Sequence, residues 1–268
     1  MTKFNQTYST DLKYTEWQQI SEFFPTFQMG RPPKWEKWQV INAILYVNRT
    51  GCQWRMLPVN FPPWRTVYFY YWSWQRDGVW QRINEVLVKK VRKQAGRHER
   101  PSAAVIDSQS VKTSEGGEER GVDVHKQTPG RKRHLVVDVL GLVLLVVVHS
   151  ASIQDGAGGL LTLQTLFDHI KHNLHNRWCR LKLIWADGGY PSIMDVVRQR
   201  FGWTLQIVKR SDDVKGFQVL PHRWVVERTF GWLGRYRRLA RDYEHTTLSS
   251  ESMVYIASSR RMLRLLAT

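Results

Sequence analysis

Acid is scarce in this chain. Among 268 residues, 23 Asp plus Glu stand against 40 Lys plus Arg, a formal net charge of +17. Cysteine is nearly absent as well. Cys52 and Cys179 lie far apart with no CxxC spacing, which excludes a disulfide framework and a cysteine-based zinc site and leaves two thiols expected to be buried. No apolar run approaches the ~18 residues a membrane span needs. The longest, "LGLVLLVVV" (140–148), has strand length and strand composition. The N-terminus "MTKFNQTYSTDLKYTEW" lacks the basic-then-apolar pattern of a signal peptide, so a cytoplasmic protein with no membrane partner is expected. There is no glycine-rich Walker loop and no Gly-x-Ser-x-Gly elbow, so neither ATP nor acyl chemistry is expected. No internal repeat occurs.

The surplus of base is the first positive sign. A charge this large favours a polyanion, because each phosphate neutralised releases condensed counterions. Apolar residues make up 42% of the chain, enough for a substantial core.

The character of the chain changes near residue 100. Residues 1–93 read as helical and aromatic-rich. "KWEKWQVINAILYVNRTG" places Trp38, Ile41, Ile44, Leu45 and Asn48 at helical spacing, with Gly51 as the stop. "WRTVYFYYWSWQRDGVWQRINEVLVKKVRK" reads as two helices split near Asp77-Gly78, the first starting after Pro63 with Thr66 as a candidate cap. This pair suits either a helix-turn-helix or a bundle whose Trp and Tyr residues form the core. Residues 94–102 form a polar linker. From 103 onward the pattern is strand, hairpin, helix, strand, helix, strand, helix. "AAVIDSQSV" is the first strand, followed by a glycine-rich loop, and "RKRHLVVDVLGLVLLVVVHSAS" is a hairpin turning at Leu140-Gly141. A helix capped by Asp155 comes next, then the strand "LKLIWAD", a helix over "PSIMDVVRQRFG" and the strand "TLQIVKR". The basic stretch "HRWVVERTFGWLGRYRRLARDYE" is helical, and the last helix is capped at Ser249 or Ser250. Three strands followed by helix–strand alternation imply an α/β fold, a mixed sheet flanked by helices.

Three acids stand out by position. Asp107 ends or interrupts "AAVID", Asp187 ends "LKLIWAD", and Glu227 lies among bases in "RWVVERTF". In α/β sheets functional groups gather beyond strand ends. Two aspartates leaving neighbouring strands, with a glutamate from a packed helix, would repel one another unless a cation lies between them. Hard oxygen donors suit Mg²⁺ or Mn²⁺, and two such ions about 4 Å apart activate a water or 3′-hydroxyl against a phosphodiester. A turn or cap explains an aspartate after a strand equally well, as for Asp123, Asp138, Asp155 and Asp195, and a salt bridge explains Glu227. On the helix expected around Glu227, Arg223, Glu227, Gly231 and Gly234 share a face, beside a core stripe of Val226, Phe230 and Leu233. Arg131, Lys132, Arg133 and His134 open a strand as candidate phosphate contacts, with a solvated strand end as the alternative. His169, His172 and His175 are spaced three apart on a helix but have no acid or cysteine partner in sequence.

The stretches "AVIDSQSVKT", "GRKRHLVVDVLGL", "IWADGGY" and "RWVVERTFGWLGRYRRLARDYE", in this order, resemble the DDE transposases of the insertion sequence 5 family. "NAILYVNRTGCQWRMLP" with "FPPWRTVYFYYWSW" resembles that family's helical N-terminal region. The resemblance covers nearly the whole chain. It implies a ribonuclease H-like mixed sheet flanked by helices over 103–268, and a helical DNA-end-binding region over 1–93. It carries Asp107, Asp187 and Glu227 over as a metal-binding catalytic triad for two Mg²⁺ or Mn²⁺ ions. Arg131, Lys132, Arg133, Arg223, Arg228, Arg235, Arg237 and Arg238 become candidate DNA contacts. The implied partners are double-stranded DNA, as terminal inverted repeats and target, and a second copy of the chain in a synaptic homodimer or larger assembly. The implied activity is cleavage and strand transfer. The rival readings are a non-catalytic DNA-binding derivative and a structure-specific nuclease of the same fold. Related transposases show tyrosine, arginine, glutamate and lysine around the last acid. Here Arg223 and Glu227 match, whereas Leu220 and Gly234 stand for the tyrosine and the lysine.

Overall fold

The computed structural model describes residues 6–24, 33–114, 116–172, 180–208 and 224–267. Helix α1 (Tyr14–Gln18) leads to α2 (Lys37–Thr50), α3 (Trp64–Arg76) and α4 (Val79–Gln94). Strands β1 (Ala103–Lys112), β2 (Gly121–Asp123), β3 (Thr128–Asp138) and β4 (Val143–Ser150) follow, then α5 (Asp155–His172), β5 (Leu183–Ala186), α6 (Met194–Phe201) and β6 (Thr204–Ile207). The chain closes with α7 (Trp224–Gly234), α8 (Arg237–Ala240) and α9 (Thr247–Leu266).

Local chemistry sets the ends of these elements. Helix α2 starts where the Gln39 side chain accepts the Glu36 N–H at 2.9 Å, and it stops at Gly51, whose φ of +72° suits glycine. The β3–β4 hairpin turns at Gly141 (φ +79°), and one Asp138 oxygen accepts the Leu140 and Leu142 N–H groups at 2.9 Å each. Helix α3 begins directly after Pro63, so Thr66 sits inside the first turn and caps nothing. Helix α9 is capped by Thr246, whose hydroxyl accepts the Ser249 N–H at 3.1 Å; Ser249 and Ser250 already belong to the helix. The basic stretch expected as one helix breaks at Gly234–Tyr236 into α7 and α8. The glycine-rich loop after β1 contains β2, which pairs with the start of β3.

The sheet runs β4-β3-β1-β5-β6, with β2 beside the first residues of β3. Strands β1, β3 and β4 are antiparallel neighbours, whereas β1, β5 and β6 are parallel. Side chains alternate across a sheet, so successive β3 residues define its two faces. Lys132 and His134 meet the start of α5. Arg131 and Arg133 reach the segment after α7, Arg133 Nη1 donating to Leu239 O at 2.7 Å. Helix α7 packs on β1 and β3, and α4 and α9 lie together over β4. The N-terminal helices share one apolar core with the sheet, from Ile41, Ile44 and Ile83 to Ile106, Ile184 and Met262. Polar ties reinforce it: Asn84 Nδ2 donates to Val143 O at 2.7 Å and Asn48 Nδ2 to Met253 O at 3.0 Å. Among the described residues, no helix is long and apolar enough to cross a membrane.

Candidate active site

Parallel pairing between β1 and β5 builds the site. The register sets Ala103 beside Leu183, Ala104 beside Ile184 and Val105 beside Trp185. Continued by two residues, past the end of β5, that register would bring Asp107 level with Asp187. Asp107 does not end its strand. β1 continues to Lys112, so the carboxylate projects from mid-strand where β5 has already stopped. Asp187 is the first residue past β5, and its Oδ1 accepts the Gly189 N–H at 2.8 Å, which ties the carboxylate into the turn. A methyl group on Gly189 would lie 3.1 Å from that oxygen and 3.3 Å from Asp155 Cβ, whereas one on Gly188 would meet open space.

Glu227 is exposed on the first turn of α7, the helix packed over β1 and β3. Gly231 and Gly234 continue its face with open space above each. Val226, Phe230 and Leu233 are buried, as their spacing predicts. Among the described residues, no three His, Cys, Asp or Glu side chains come close enough together to hold a metal ion. The two aspartates thus lie on β1 and just past its paired strand β5, and the glutamate is brought to the same sheet by its helix without joining them in one cluster. The donors themselves, hard carboxylate oxygens, are of the type that Mg²⁺ and Mn²⁺ prefer.

The opposite face of the sheet carries a polar layer that includes Asp123 and Asp155, two aspartates whose positions suit turns and caps, and Lys132, a candidate phosphate contact. Asp155 Oδ1 accepts from the Ser108 hydroxyl at 2.8 Å and pairs with Lys132 Nζ at 3.0 Å. Lys132 also pairs with Asp123 at 3.4 Å and donates to Ile153 O at 2.9 Å. Burial alone would raise the Asp123 carboxyl, but the Ser110 hydroxyl, the Lys126 N–H and Lys132 outweigh it and hold it at about 2. His134 Nδ1 and His149 Nε2 are 2.7 Å apart, and the His149 Nδ1–H donates to Ser150 O at 2.9 Å. Burial, and then the neighbouring His149, brings His134 down to about 3. Tyr190 is fully buried beside this pair. Burial, and then the charges of Asp107, Asp155 and Asp187, keeps its phenol protonated. The sequence signal for this layer was "DGAGG": Gly158 and Gly159 leave the room on α5 that His134, His149 and Tyr190 fill.

The candidate DNA contacts divide sharply. Arg131 and Arg133 are buried, not at the surface where a phosphate would meet them. Arg131 pairs with Asp242 at 3.3 Å and donates to the carbonyls of Glu118, Glu244 and His245. Lys132 is buried between its two aspartates. Arg238 is buried against Glu244 at 2.7 Å. Arg131, Lys132 and Arg133 fasten β3 to α5 and to the segment between α7 and α9, and Arg238 ties α8 to the residues just before α9. Arg228 is half-buried, stacked between Trp224 and Trp232. Arg235 and Arg237 are exposed. Arg223 and Leu220, like Cys179 and His175, lie outside the described residues. Cys52 is half-buried, not enclosed as expected. His169 bonds Glu85 at 2.6 Å, so its partner lies on another helix rather than in its own row.

The frame is a mixed sheet flanked by helices, with an aspartate on β1 and another just past β5. Residues 98–257, more than half of the chain, match the family model "Transposase DDE domain", and residues 12–84 match "Putative transposase of IS4/5 family". The chain belongs to the DDE transposases of the IS4/5 type, and its sheet is the ribonuclease H-like core of that family. It is similar to "Putative transposase for insertion sequence element IS402" of Burkholderia cepacia, 34% identical over 118 residues, which is 43% of this chain and 54% of that protein. It is also similar to "Insertion element IS402 uncharacterized 16.2 kDa protein" of the same organism, 34% identical over 95 residues, 33% of this chain and 57% of that protein. The chain thus spans about half the length of the curated relatives it matches. No solved structure matches it.

Proposed function

We propose that this protein is a transposase that binds the terminal inverted repeats of its element, cleaves DNA there, and joins the freed 3′-hydroxyl to target DNA. The observation that carries the reading is the parallel β1–β5 pairing, whose register, continued past Val105 and Trp185, would bring Asp107 level with Asp187 in a chain otherwise poor in acid. Asp107 and Asp187 are the residues that would hold a divalent ion, Mg²⁺ or Mn²⁺, and Glu227 on α7 would complete a second ion's site. Bound there, the ions would make an oxygen nucleophile available at neutral pH and stabilise the leaving oxygen.

The chain's own groups have separable tasks. The Gly189 N–H and the buried Tyr190 hold the Asp187 turn against the sheet. Ser108, Asp155 and Lys132 brace β1 from behind, so Asp107 projects from a strand fixed on both sides. Arg235 and Arg237, exposed beside the open face of Gly231 and Gly234, hold backbone phosphates. Residues 1–93 bind the DNA ends, residues 94–102 link, and residues 103–268 cut. Synapsis of two ends requires at least two copies of the chain.

The test is incubation of the full chain with Mg²⁺ and a duplex carrying the repeats that flank its reading frame. The expected products are strands cut at the repeat end, followed by strands joined to a second duplex. Cutting of branched DNA with no joining would make the protein a structure-specific nuclease. Tight repeat binding with neither product would make it a DNA-binding derivative.

A further inference from the structure

Beside Glu227, α7 carries a feature that neither the aspartates nor the exposed arginines use. Trp224, Arg228 and Trp232 follow one another at four-residue spacing. The Arg228 guanidinium lies 4.3 Å from the Trp224 ring and 4.5 Å from the Trp232 ring. Arg261 of α9 covers Trp232 at 3.3 Å. The result is a ladder of alternating ring and guanidinium planes, with Trp224 39% exposed at one end. Its other end opens on a groove of about 410 Å³ between α4, the β3–β4 turn and α9, walled by Val91, Leu140, Leu142 and Leu265. That volume lies within the roughly 300–1,000 Å³ of small-ligand sites.

The charge in this groove is unbalanced. No acid lines it, and among the described residues neither Arg228 nor Arg261 has a carboxylate in ion-pair range. The nearest acid by its influence, Asp138, is engaged by Arg92. Arg228 Nη2 donates to Leu140 O at 3.1 Å, but its Nε is buried and finds no acceptor among the described residues. Burial lowers Arg228, and burial and then the charge of Arg228 lower Arg261 to about 10. Two cations held close together, partly out of water and without an anion among the described residues, form a site that a negative group would relieve. Planar cations and an indole stack on π-faces, and the apolar walls suit a ring better than a hydrated ion.

We propose that the Arg228–Trp232–Arg261 groove receives an unpaired nucleotide of the DNA substrate, its base continuing the stack and its phosphate meeting the guanidinium groups. A paired base has both faces covered by its neighbours in the duplex, so the ligand is an unpaired one. The inference rests on the reading that DNA is the substrate, but it needs neither metal nor cleavage.

The experiment compares binding of a short thymidine oligonucleotide with that of an abasic deoxyribose-phosphate oligomer of equal length, to the full chain in EDTA, by fluorescence anisotropy. The native protein is expected to prefer the strand with bases by about tenfold, the scale of one stacked base. Trp232→Leu, with its fold checked by thermal melting, should erase that preference while keeping abasic binding. Arg261→Ala, which removes a half-buried plane with no ion pair, should weaken both. Equal affinity of the native chain for the two oligomers overturns the proposal, as does an unchanged preference in both variants. Loss of self-association in Arg261→Ala with no change in DNA binding also overturns it, by making the groove an interface between copies. Failure of cleavage in Mg²⁺ would count against the transposase reading and leave this binding result standing.

Discussion

Arg131 and Arg235 carry the same charge and do opposite things. Arg131 is fully buried, ion-paired to Asp242 and bonded to three carbonyls around the start of α9. Arg235 stands in solvent at the end of α7, beside open space over Gly234. A charge of +17 therefore overstates the base available to a polyanion, because part of it fastens the fold from inside. The acids divide in the same way. Asp123, Asp138 and Asp242 neutralise buried bases, whereas Asp107 lies on β1 and Asp187 just past the end of β5, the strand paired with it.

The largest expected effect comes from breaking the buried side of this comparison. Arg131→Met should lower the unfolding free energy by about 3–5 kcal/mol, because Asp242 stays behind without its partner cation. Urea denaturation reads this directly. Gly158→Ala should cost about 1–3 kcal/mol, since the added methyl would lie 2.5 Å from His149 Nε2 in a packed layer. A normal melting temperature in that variant would mean the histidine pair has room to move.

Acid should loosen the same layer. An unfolded histidine takes up a proton near pH 6.5, whereas folded His134 resists until about 3. Between those values the unfolded chain binds the extra proton, so stability falls as pH falls, by about 1.4 kcal/mol per pH unit from this group. Urea midpoints at pH 7 and pH 5 measure the slope, which should shrink in His134→Gln. The smallest stability effect belongs to the exposed side. Arg235→Ala and Arg237→Ala should each leave stability within about 0.5 kcal/mol. Each should also reduce by about one the slope of log affinity for duplex DNA against log salt. Unchanged slopes would remove these arginines from the DNA path.

Much of the fold was legible in the sequence because local chemistry wrote it. Gly51, Asp77-Gly78 and Gly141 mark the turns they were expected to mark, and the stripe Val226, Phe230, Leu233 is the buried face of α7. Asp107 and Asp187 could be singled out because an acid after a run of strand formers is conspicuous in a basic chain. What stayed hidden depends on pairing between distant segments. Nothing in "GRKRH" tells that its bases point alternately into the sheet's two layers, one toward Asp242, about a hundred residues away, and the next toward Asp155. Asp155 was read as a helix cap because its partner Ser108 is 47 residues earlier. The Trp224–Arg228–Trp232 row lay in plain view at helical spacing, but its meaning needed Arg261 from another helix.

Asp107 and Asp187 are proposed to be placed for chemistry and not for stability. The direct test is Asp187→Asn, measured for both unfolding and Mg²⁺-dependent cleavage of a repeat-bearing duplex. The side chain sits past the strand end, and the bond from the Gly189 N–H can be kept by the amide oxygen. The account predicts a stability within about 1 kcal/mol of the parent and cleavage reduced to background. Full cleavage by the substituted protein would contradict it.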